Sequence, residues 1–496
     1  MDEIRVTYTG LISLVLGIFS IVIGLGFNLI VTRNLSEVEY GTWGIIGGLI
    51  IYATILDPVI TFWTTREIAR NEESGKTAVF TGMVFSSIGL IIYFISAIIL
   101  SYSTEVDQGI VFLGMILVPL MITNNVLAAI TLGWKPQGFS FGRIVLGIVQ
   151  IPLGILFVMM LDMGTAGVIY AVAIATLASI FYFIAYNRKK LRNSIQKKFI
   201  KKWIKFSWVS LYPNIGGTIR SLDVMVFSII TGSVIGIAFW TATQIIHSVI
   251  SSSQLISAAT YSKLLQGGDK EFIKENIRLL IYFAVLFTGI TITFAEHGLF
   301  LLNPIYASAA TIVVIMAVGD FMWIISNKLL IFVQGVDKVD MNKESTVQDY
   351  FKSSLINIPT IQLIHSIVYI SSFTIVLLIT FSSGNSNLEM LIYWSILILI
   401  LEIPIVIYSI FIFHKKIRVK NDYRYILKYA FASAISFGGV HIIMKEFIEF
   451  NTEIIKFLPQ VLVFVIISVL VYIGITYAID NKTRLLVKSI TKGVKN

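Results

Sequence analysis

Long apolar stretches recur along the whole chain, and each is close to the length that a helix needs to cross a lipid bilayer. A transmembrane helix uses about 20 mainly apolar residues. The predicted spans are residues 9–31, 42–64, 78–101, 110–133, 141–161, 164–186, 207–230, 234–257, 277–302, 305–335, 361–381, 389–413, 424–444 and 457–480. Barrel strands would alternate apolar and polar residues, and runs such as 391–412 do not. The pattern predicts an all-α integral membrane protein with about fourteen transmembrane helices.

Composition changes this picture little and excludes several kinds of chemistry. Of the 496 residues, 56% are hydrophobic and 13% are charged, which is about half the charged fraction of a soluble domain. The absence of cysteine excludes disulfides and thiolate catalysis. The five histidines are scattered and lack metal-site spacing. The first apolar run is full length and follows an acidic start, so we predict an uncleaved span rather than a signal peptide.

Basic residues are divided unevenly between the loops predicted on the two sides of the membrane. With a cytoplasmic N-terminus, the predicted outside loops contain only Arg33, Lys445 and Lys456 of the 38 lysines and arginines. Because cytoplasmic loops are enriched in Lys and Arg, this distribution predicts that both termini are cytoplasmic. It also explains the net charge of +10 without nucleic-acid binding. We expect a multi-pass protein of the plasma or inner membrane.

The densest basic segment lies between the sixth and seventh spans, at residues 188–205. Its apolar residues recur every four positions: Leu191, Ile195, Phe199 and Trp203. This spacing predicts a helix with one apolar face and lysines around the rest, lying in the headgroup layer. Two roles stay open for it. One is a topology anchor that links two halves of the protein, and the other is gating or binding of anionic lipids.

Polar residues inside the predicted spans are the candidates for function. Ionisable groups are costly in lipid, so they usually face a bundle interior or a wet cavity. The charged ones are Asp57, Arg220, Asp223, Asp320, Lys328 and Glu402. Uncharged polar residues accompany them: Asn124, Asn125, Gln150, Gln244, His247, Gln362 and His365. Charges on at least four spans predict a polar central cavity, as in a transporter.

Most of the charged candidates also have a purely structural interpretation. Arg220 and Asp223 are three residues apart on one helix face, and a self-neutralising pair would satisfy both. Asp57 and Glu402 lie beside prolines, where an acid commonly makes an interhelical hydrogen bond. Lys328 is close enough to the predicted interface for its side chain to reach the headgroups.

Two features argue against an enzyme or an ATP-driven pump. The longest polar stretch, residues 335–355, is too short for a soluble catalytic domain. The Gly-Lys-Thr sequence at 75–77 lacks the glycine that a phosphate-binding loop needs five residues earlier, where this chain has Arg70. We therefore expect no catalytic residues and no metal.

Several short motifs resemble those of one transporter family. Residues 32–43 read TRNLSEVEYGTW, which is similar to the R-x-L-S-x-x-E-Y-G turn of the polysaccharide-export flippases. These belong to the multidrug/oligosaccharidyl-lipid/polysaccharide exporter superfamily. Asp57-Pro58 followed by REIAR at 66–70 is also similar to that family, as is Asp223 followed by Gly232 and Gly236. The resemblance covers essentially the whole chain.

The resemblance implies a division of the chain and a function. It implies two six-helix lobes around a central cavity, with an N-lobe at 1–186, a basic linker at 187–206 and a C-lobe at 207–413. The last two spans and a cytoplasmic tail would occupy 414–496. The implied function is flipping of a polyprenyl-(pyro)phosphate-linked oligosaccharide to the outer leaflet by alternating access, for cell-surface polysaccharide or glycoprotein glycan assembly. A monomer surrounded by membrane lipids would suffice, with no cofactor other than a coupling Na+ or H+.

On this interpretation the charged residues divide into two groups. The expected phosphate contacts are Arg220, Arg66 and Lys328, and the residues expected to bind the coupling ion or line the cavity are Asp57, Asp223, Asp320 and Glu402. Two other functions stay open. One is a cation-coupled exporter of small organic molecules from the same superfamily, which the excess of intramembrane acids also suits. The other is a membrane-embedded glycosyltransferase or ligase that uses the same lipid-linked sugars.

Overall fold

Helices account for the regular structure of the chain. A computed structural model describes residues 19, 22–135, 137–257, 270–337, 339, 347–417, 424–485 and 488, and these contain no strand. The earlier helices are α1 (22–34), α2 (Glu37–Ala53), α3 (Asp57–Ala69), α4 (Gly75–Ser103), α5 (Gln108–Leu113), α6 (Leu117–Trp134), α7 (Gln137–Gly154), α8 (Gly164–Tyr186), α9 (Lys197–Lys205), α10 (Ser207–Arg220), α11 (Asp223–Thr231) and α12 (Val234–His247). The later helices are α13 (Lys270–Thr293), α14 (Ala295–Leu302), α15 (Ala310–Gly335), α16 (Val347–Lys352), α17 (Ser354–Ser382), α18 (Asn387–Ile417), α19 (Arg424–Phe447) and α20 (Ile454–Ile479).

Within the described residues, fewer helices qualify as membrane-spanning than the sequence predicted for the whole chain. In the described ranges, eleven helices are long and apolar enough to cross a membrane, or twelve if the bent pair α2–α3 is one span. The multi-pass all-α prediction is confirmed, whereas fourteen spans are not. The predicted first span begins outside the described residues. The seventh is divided into α10, of 14 residues, and α11, of 9, each too short to cross alone. The side of the membrane on which the termini lie stays a prediction.

The motif at 32–43 has a structural explanation at the start of α2. Ser36 and Glu39 form a capping box, in which the Glu39 backbone N–H donates to Ser36 Oγ and the Ser36 N–H donates to Glu39 Oε2. This arrangement satisfies backbone donors that a helix N-terminus leaves unpaired. Gly41 follows in the motif, and a Cβ there would lie 2.1 Å from the carbonyl oxygen of Val234. The glycine therefore permits α2 and α12 to pack closely.

The second predicted span is broken rather than continuous. α2 ends at Ala53, α3 begins at Asp57, and the two helices are bent by 61°. Pro58 occupies the first turn of α3, where its missing N–H costs nothing and its fixed φ suits a helix start. Pro58 also lacks the N–H that would donate to residue 54 in a continuous helix, which favours a break at residues 54–56.

A second break lies next to the first. α10 ends at Arg220 and α11 begins at Asp223. The hydroxyl of Tyr52, near the end of α2, donates a hydrogen bond of 2.7 Å to the carbonyl oxygen of Ser221 inside this second break. Residues 54–56 and 221–222 are therefore neighbouring interruptions, and we call them the paired breaks.

The chain forms two compact units. Unit A comprises Phe19–Thr241 and Leu355–Trp394. Unit B comprises Ala242–Ser354 and Ser395–Asn496, as far as the structure describes them. The lobes predicted at 1–186 and 207–413 stay a prediction.

The basic segment after α8 packs on protein. The helix in it, α9, buries Phe199 and Trp203 in a cluster of apolar residues from α3, α4, α6 and α8, where the two rings stack 6.1 Å apart. Ile195 precedes the helix and is exposed. The face that we expected in the headgroup layer is therefore covered by unit A, because an amphipathic pattern does not distinguish lipid from a protein core.

Candidate functional site

A cavity of about 540 Å³ lies in unit A between α3, α6, α7 and α10. Its lining residues are Asp57, Pro58, Thr61, Phe62, Thr65, Arg66, Asn125, Ala128, Ala129, Leu132, Phe139 and Asn214. Half of them come from α3 at spacings of three and four residues, which place them on one helix face. The opposite face of α3, including Ile60, Thr64 and Ile68, is buried in the apolar cluster.

The deep end of the cavity contains an acid bound to an amide. Asp57 is 8% exposed, and Asn125 Nδ2 on α6 donates a hydrogen bond of 2.7 Å to its Oδ2. This is the interhelical bond that the sequence left open as an alternative for Asp57. Because the bond occupies one carboxylate oxygen and the cavity reaches the same side chain, it does not prevent Asp57 from binding a cation or a proton.

The outer end of the cavity carries a base over an aromatic ring. Arg66 is exposed, and its guanidinium carbon lies 4.3 Å from the centroid of the Phe62 ring. It lies nine positions after Asp57, or about 13.5 Å along α3. The structure therefore brings two predicted site residues into one cavity, with the acid buried and the base at the mouth.

Arg220 and Asp223 meet at an aromatic residue that the sequence did not single out. Tyr369 Oη donates to Asp223 Oδ2 at 2.9 Å, and Arg220 lies over the Tyr369 ring, 5.2 Å from its centroid. Trp394 Nε1 donates to the same hydroxyl at 2.7 Å. Neither charged residue is in the set that lines the 540 Å³ cavity. We expected the two residues on one face of a single helix, but Arg220 ends α10 and Asp223 begins α11.

Trp394 is the centre of an aromatic stack in unit A. The Trp240 ring lies 3.7 Å from it at an interplanar angle of 13°, and Phe373 and Phe227 lie 4.5 and 5.5 Å away. The stack fixes the indole that donates to Tyr369. Sequence spacing could not reveal this, since the rings come from α11, α12, α17 and α18.

Asp320 in unit B pairs with a histidine. His247 Nδ1 contacts Asp320 Oδ2, and Nε2 lies 2.9 Å from Gln244 Oε1. Asp320 and Gln244 therefore hold the imidazole through both of its ring nitrogens. The sequence identified all three residues as polar members of spans without pairing them.

The remaining predicted residues lie elsewhere in unit B. Lys328 is partly buried on α15, two turns beyond Asp320. Glu402 is 1% exposed on α18, two residues before Pro404. A single phosphate site that combines Arg220, Arg66 and Lys328 stays a prediction. Among the described residues, no group of three or more His, Asp or Glu could hold a metal ion.

One buried acid was missed as a site residue. Glu67 is 1% exposed and contacts Lys202 and Trp203 of α9. A signal was available, because Glu67 lies three residues after Thr64 and directly before Ile68, on the buried face of α3. Its place beside Arg66 in the REIAR motif concealed that the two side chains point to different faces.

Solved transporter structures resemble this chain. An inward-facing multidrug resistance MATE family transporter of the MOP superfamily aligns with a TM-score of 0.61, at 14% identity over 83% of this chain and 100% of that one. An outward-facing structure described in the same terms aligns at 0.53, with 14% identity over 84% and 96% of the two chains. A MOP superfamily transporter from Pyrococcus furiosus, described by the reverse polarity of its binding pocket, gives the same values. No protein-family model and no curated protein matches the chain. The fold is therefore MATE-like.

Proposed function

We propose that this protein is a transporter that moves small amphipathic organic molecules across the membrane by alternating access, driven by a cation gradient. The observation that carries the proposal is the cavity on α3, which has a buried acid at its deep end and aromatic walls. Its volume, about 540 Å³, is within the range of roughly 300–1,000 Å³ that small-molecule sites occupy. The likeness to transporters described as inward-facing and outward-facing supports alternating access.

Each lining residue has a role in this proposal. Asp57 attracts a cationic group or the coupling ion, and Asn125 holds its carboxylate in place. Phe62 and Phe139 supply apolar contact for the body of the substrate. The His247–Asp320 pair is a second place where a proton or cation can be taken up. Ionisable groups within spans serve such relays in many pumps and transporters.

A second function is favoured by one observation, the exposed guanidinium at the cavity mouth. Arg66 could bind a phosphate in a bidentate manner, as flipping of a polyprenyl-(pyro)phosphate-linked oligosaccharide would require. The sugar would pass through the cavity while the polyprenyl tail stayed in lipid. The two functions assign opposite importance to Asp57 and Arg66, so paired variants separate them.

The first test is transport by purified protein in proteoliposomes. With an imposed proton or sodium gradient, we expect efflux of a cationic dye to fall at least about ten-fold in Asp57→Asn, since an interaction with a charged group contributes about 1.5–3 kcal/mol. Asp162→Asn is the matched control. Asp162 is exposed and has a φ of 49°, a conformation that asparagine also adopts, so its efflux should equal that of the wild type.

The same vesicles decide between the two functions. A fluorescent polyprenyl-pyrophosphate sugar is offered in one leaflet, and its arrival in the other is measured with Arg66→Ala and Asp57→Asn. Sugar transfer that requires Arg66, together with no gradient-driven efflux of dye, would establish the flippase and overturn the leading proposal. Dye efflux in Asp57→Asn equal to that in Asp162→Asn would remove Asp57 from the mechanism.

A further inference from the structure

An ion pair between a buried acid and a half-buried lysine joins the end of α3 to the helix α9. Lys202 Nζ lies 2.9 Å from Glu67 Oε1, and Trp203 Nε1 donates to both carboxylate oxygens at 3.2 and 3.3 Å. The Glu67 side chain is 1% exposed, whereas that of Lys202 is 36% exposed. Three donor contacts therefore converge on one carboxylate at the boundary between the core and the surface.

The position of α9 fixes the start of α10. The backbone N–H of Gln196, which precedes α9, donates to Thr77 Oγ1 on α4 at 2.9 Å. At its other end α9 is separated from α10 by Phe206 alone. Because α10 carries Asn214 into the cavity wall, the contact at Glu67 ties the beginning of one cavity wall to the end of another.

The same two walls are also joined at their opposite ends. α3 begins at one of the paired breaks and α10 ends at the other, and Tyr52 Oη donates across them to Ser221 O. α3 and α10 therefore run in opposite directions between the breaks and α9. The cavity lies between these connections, with its exposed Arg66 at the α9 end.

We propose that α9 acts as a clasp and that Glu67 is a positioning residue, which through Lys202 and Trp203 holds α3 and α10 at the separation that keeps the cavity mouth open. The role of the clasp in transport rests on the proposed function, whereas the contacts that form it do not. Release of the clasp lets α3 turn about residues 54–56 and changes the width of the mouth. A helix of 13 residues is about 20 Å long, so a turn of about 15° moves its far end by about 5 Å.

The contact between Glu67 and Lys202 has two states, formed and broken. A carboxylate cannot stay buried without its cation at acceptable cost, so Glu67 either holds Lys202 or moves towards water. Lys202 can leave readily, because its ammonium already lies near the surface. The clasp is therefore intact or open, and a shift of a few ångströms at α9 alters the cavity wall without a residue of α9 entering the cavity.

The test measures the distance between α3 and α10 directly. The chain contains no cysteine, so Arg70→Cys and Trp208→Cys, both exposed positions, take spin labels without background. In Glu67→Gln and in Lys202→Met we expect a second distance population displaced by about 5 Å. The ratio of displaced to original molecules should rise about ten-fold, as loss of one charge-assisted bond implies. Lys201→Met removes the same charge from an exposed neighbour on α9 and should leave the distribution unchanged.

The outcomes separate the clasp from the transport function. The double variant Glu67→Gln with Lys202→Met should show no more displacement than the larger single variant, because both changes break one contact. In transport, the Glu67 variants should change kcat with little effect on KM. Distance distributions that match the wild type in both single variants would overturn the clasp, even with transport impaired. If Glu67→Gln does not fold, Lys202→Met decides alone. The distances are measured without substrate, so a failure to detect transport leaves this test intact.

Discussion

Replacing Arg278 with leucine is expected to lower the free energy of unfolding by about 3–5 kcal/mol, the usual cost of removing one partner from a buried ion pair. Arg278 on α13 is 7% exposed, and its Nη1 lies 3.0 Å from both Asp480 Oδ2 and Tyr429 Oη. Tyr429 also donates to Asp480 at 2.9 Å. The network holds α13, α19 and the end of α20 together in unit B.

Chemical unfolding in detergent measures this effect, and a surface pair provides the control. Lys456 and Glu453 are 2.7 Å apart but both are 61% exposed, so Lys456→Ala should leave stability unchanged. Combining Arg278→Leu with Asp480→Asn should recover part of the loss, because Asp480 is the more buried of the two carboxylates that Arg278 contacts, the other being Glu275. Equal stability of Arg278→Leu and the wild type would show that the network does not fasten these helices.

The pH dependence of unfolding follows from the same network. Burial raises the pKa of the Asp480 carboxyl. Hydrogen bonds from Thr483 and Tyr429 and the charge of Arg278 lower this pKa by more than burial raises it, so the net pKa is below its usual value. The unfolded state then binds protons more readily than the folded one. The stabilisation from Asp480 is complete above the unfolded pKa, about 3.9, and is lost as the pH falls through the lower folded value. We expect Arg278→Leu to lose less stability than the wild type over this acidic range.

The second large effect is expected at Trp394. Trp394→Ala should cost about 3–5 kcal/mol, the range for truncating a buried large aromatic residue. The side chain is fully buried among Trp240, Phe373 and Phe227. The change also removes the donor to Tyr369, the residue that binds Asp223, and leaves a cavity beside the tyrosine.

Two other tryptophan variants separate these contributions in the same unfolding measurement. Trp394→Phe retains a ring and loses the indole N–H, so it should cost about 1–3 kcal/mol. Trp208→Ala truncates a residue that is 54% exposed and should have little effect. A loss in Trp208→Ala as large as that in Trp394→Ala would contradict the assignment of the stack as a core element.

Element type and length were predictable because a segment that crosses lipid must be a helix of about 20 mainly apolar residues. Where helices are continuous, as at 164–186, the apolar pattern gives the span directly. It failed where a span is broken. Hydropathy averages across Asp57-Pro58 and gives no sign of the 61° bend between α2 and α3. The short helices on either side of residues 221–222 escaped detection for a similar reason.

The candidate site was only partly predictable, because its partners are remote in sequence. The cost of an acid in lipid singled out Asp57, but its partner Asn125 lies 68 residues away. Tyr369 lies 146 residues from Asp223, and no local pattern marks a tyrosine as the partner of an aspartate. The direction of α9's apolar face was predicted wrongly, since Phe199 and Trp203 suit lipid and a protein core equally.

The break between α10 and α11 also has a consequence for biosynthesis. Arg220 and Asp223 would together cost about 5–7 kcal/mol at the centre of a helix leaving the insertion machinery, which weakens insertion of this segment by its own hydrophobicity. The helix α2 is made earlier, and the hydroxyl of its Tyr52 donates a hydrogen bond to the backbone carbonyl of Ser221 at the break. The phenol that binds Asp223 belongs to α17, which is synthesised much later. Until then, water or lipid headgroups must solvate this carboxylate, so the half-made chain passes through a stage in which its own polar core is incomplete.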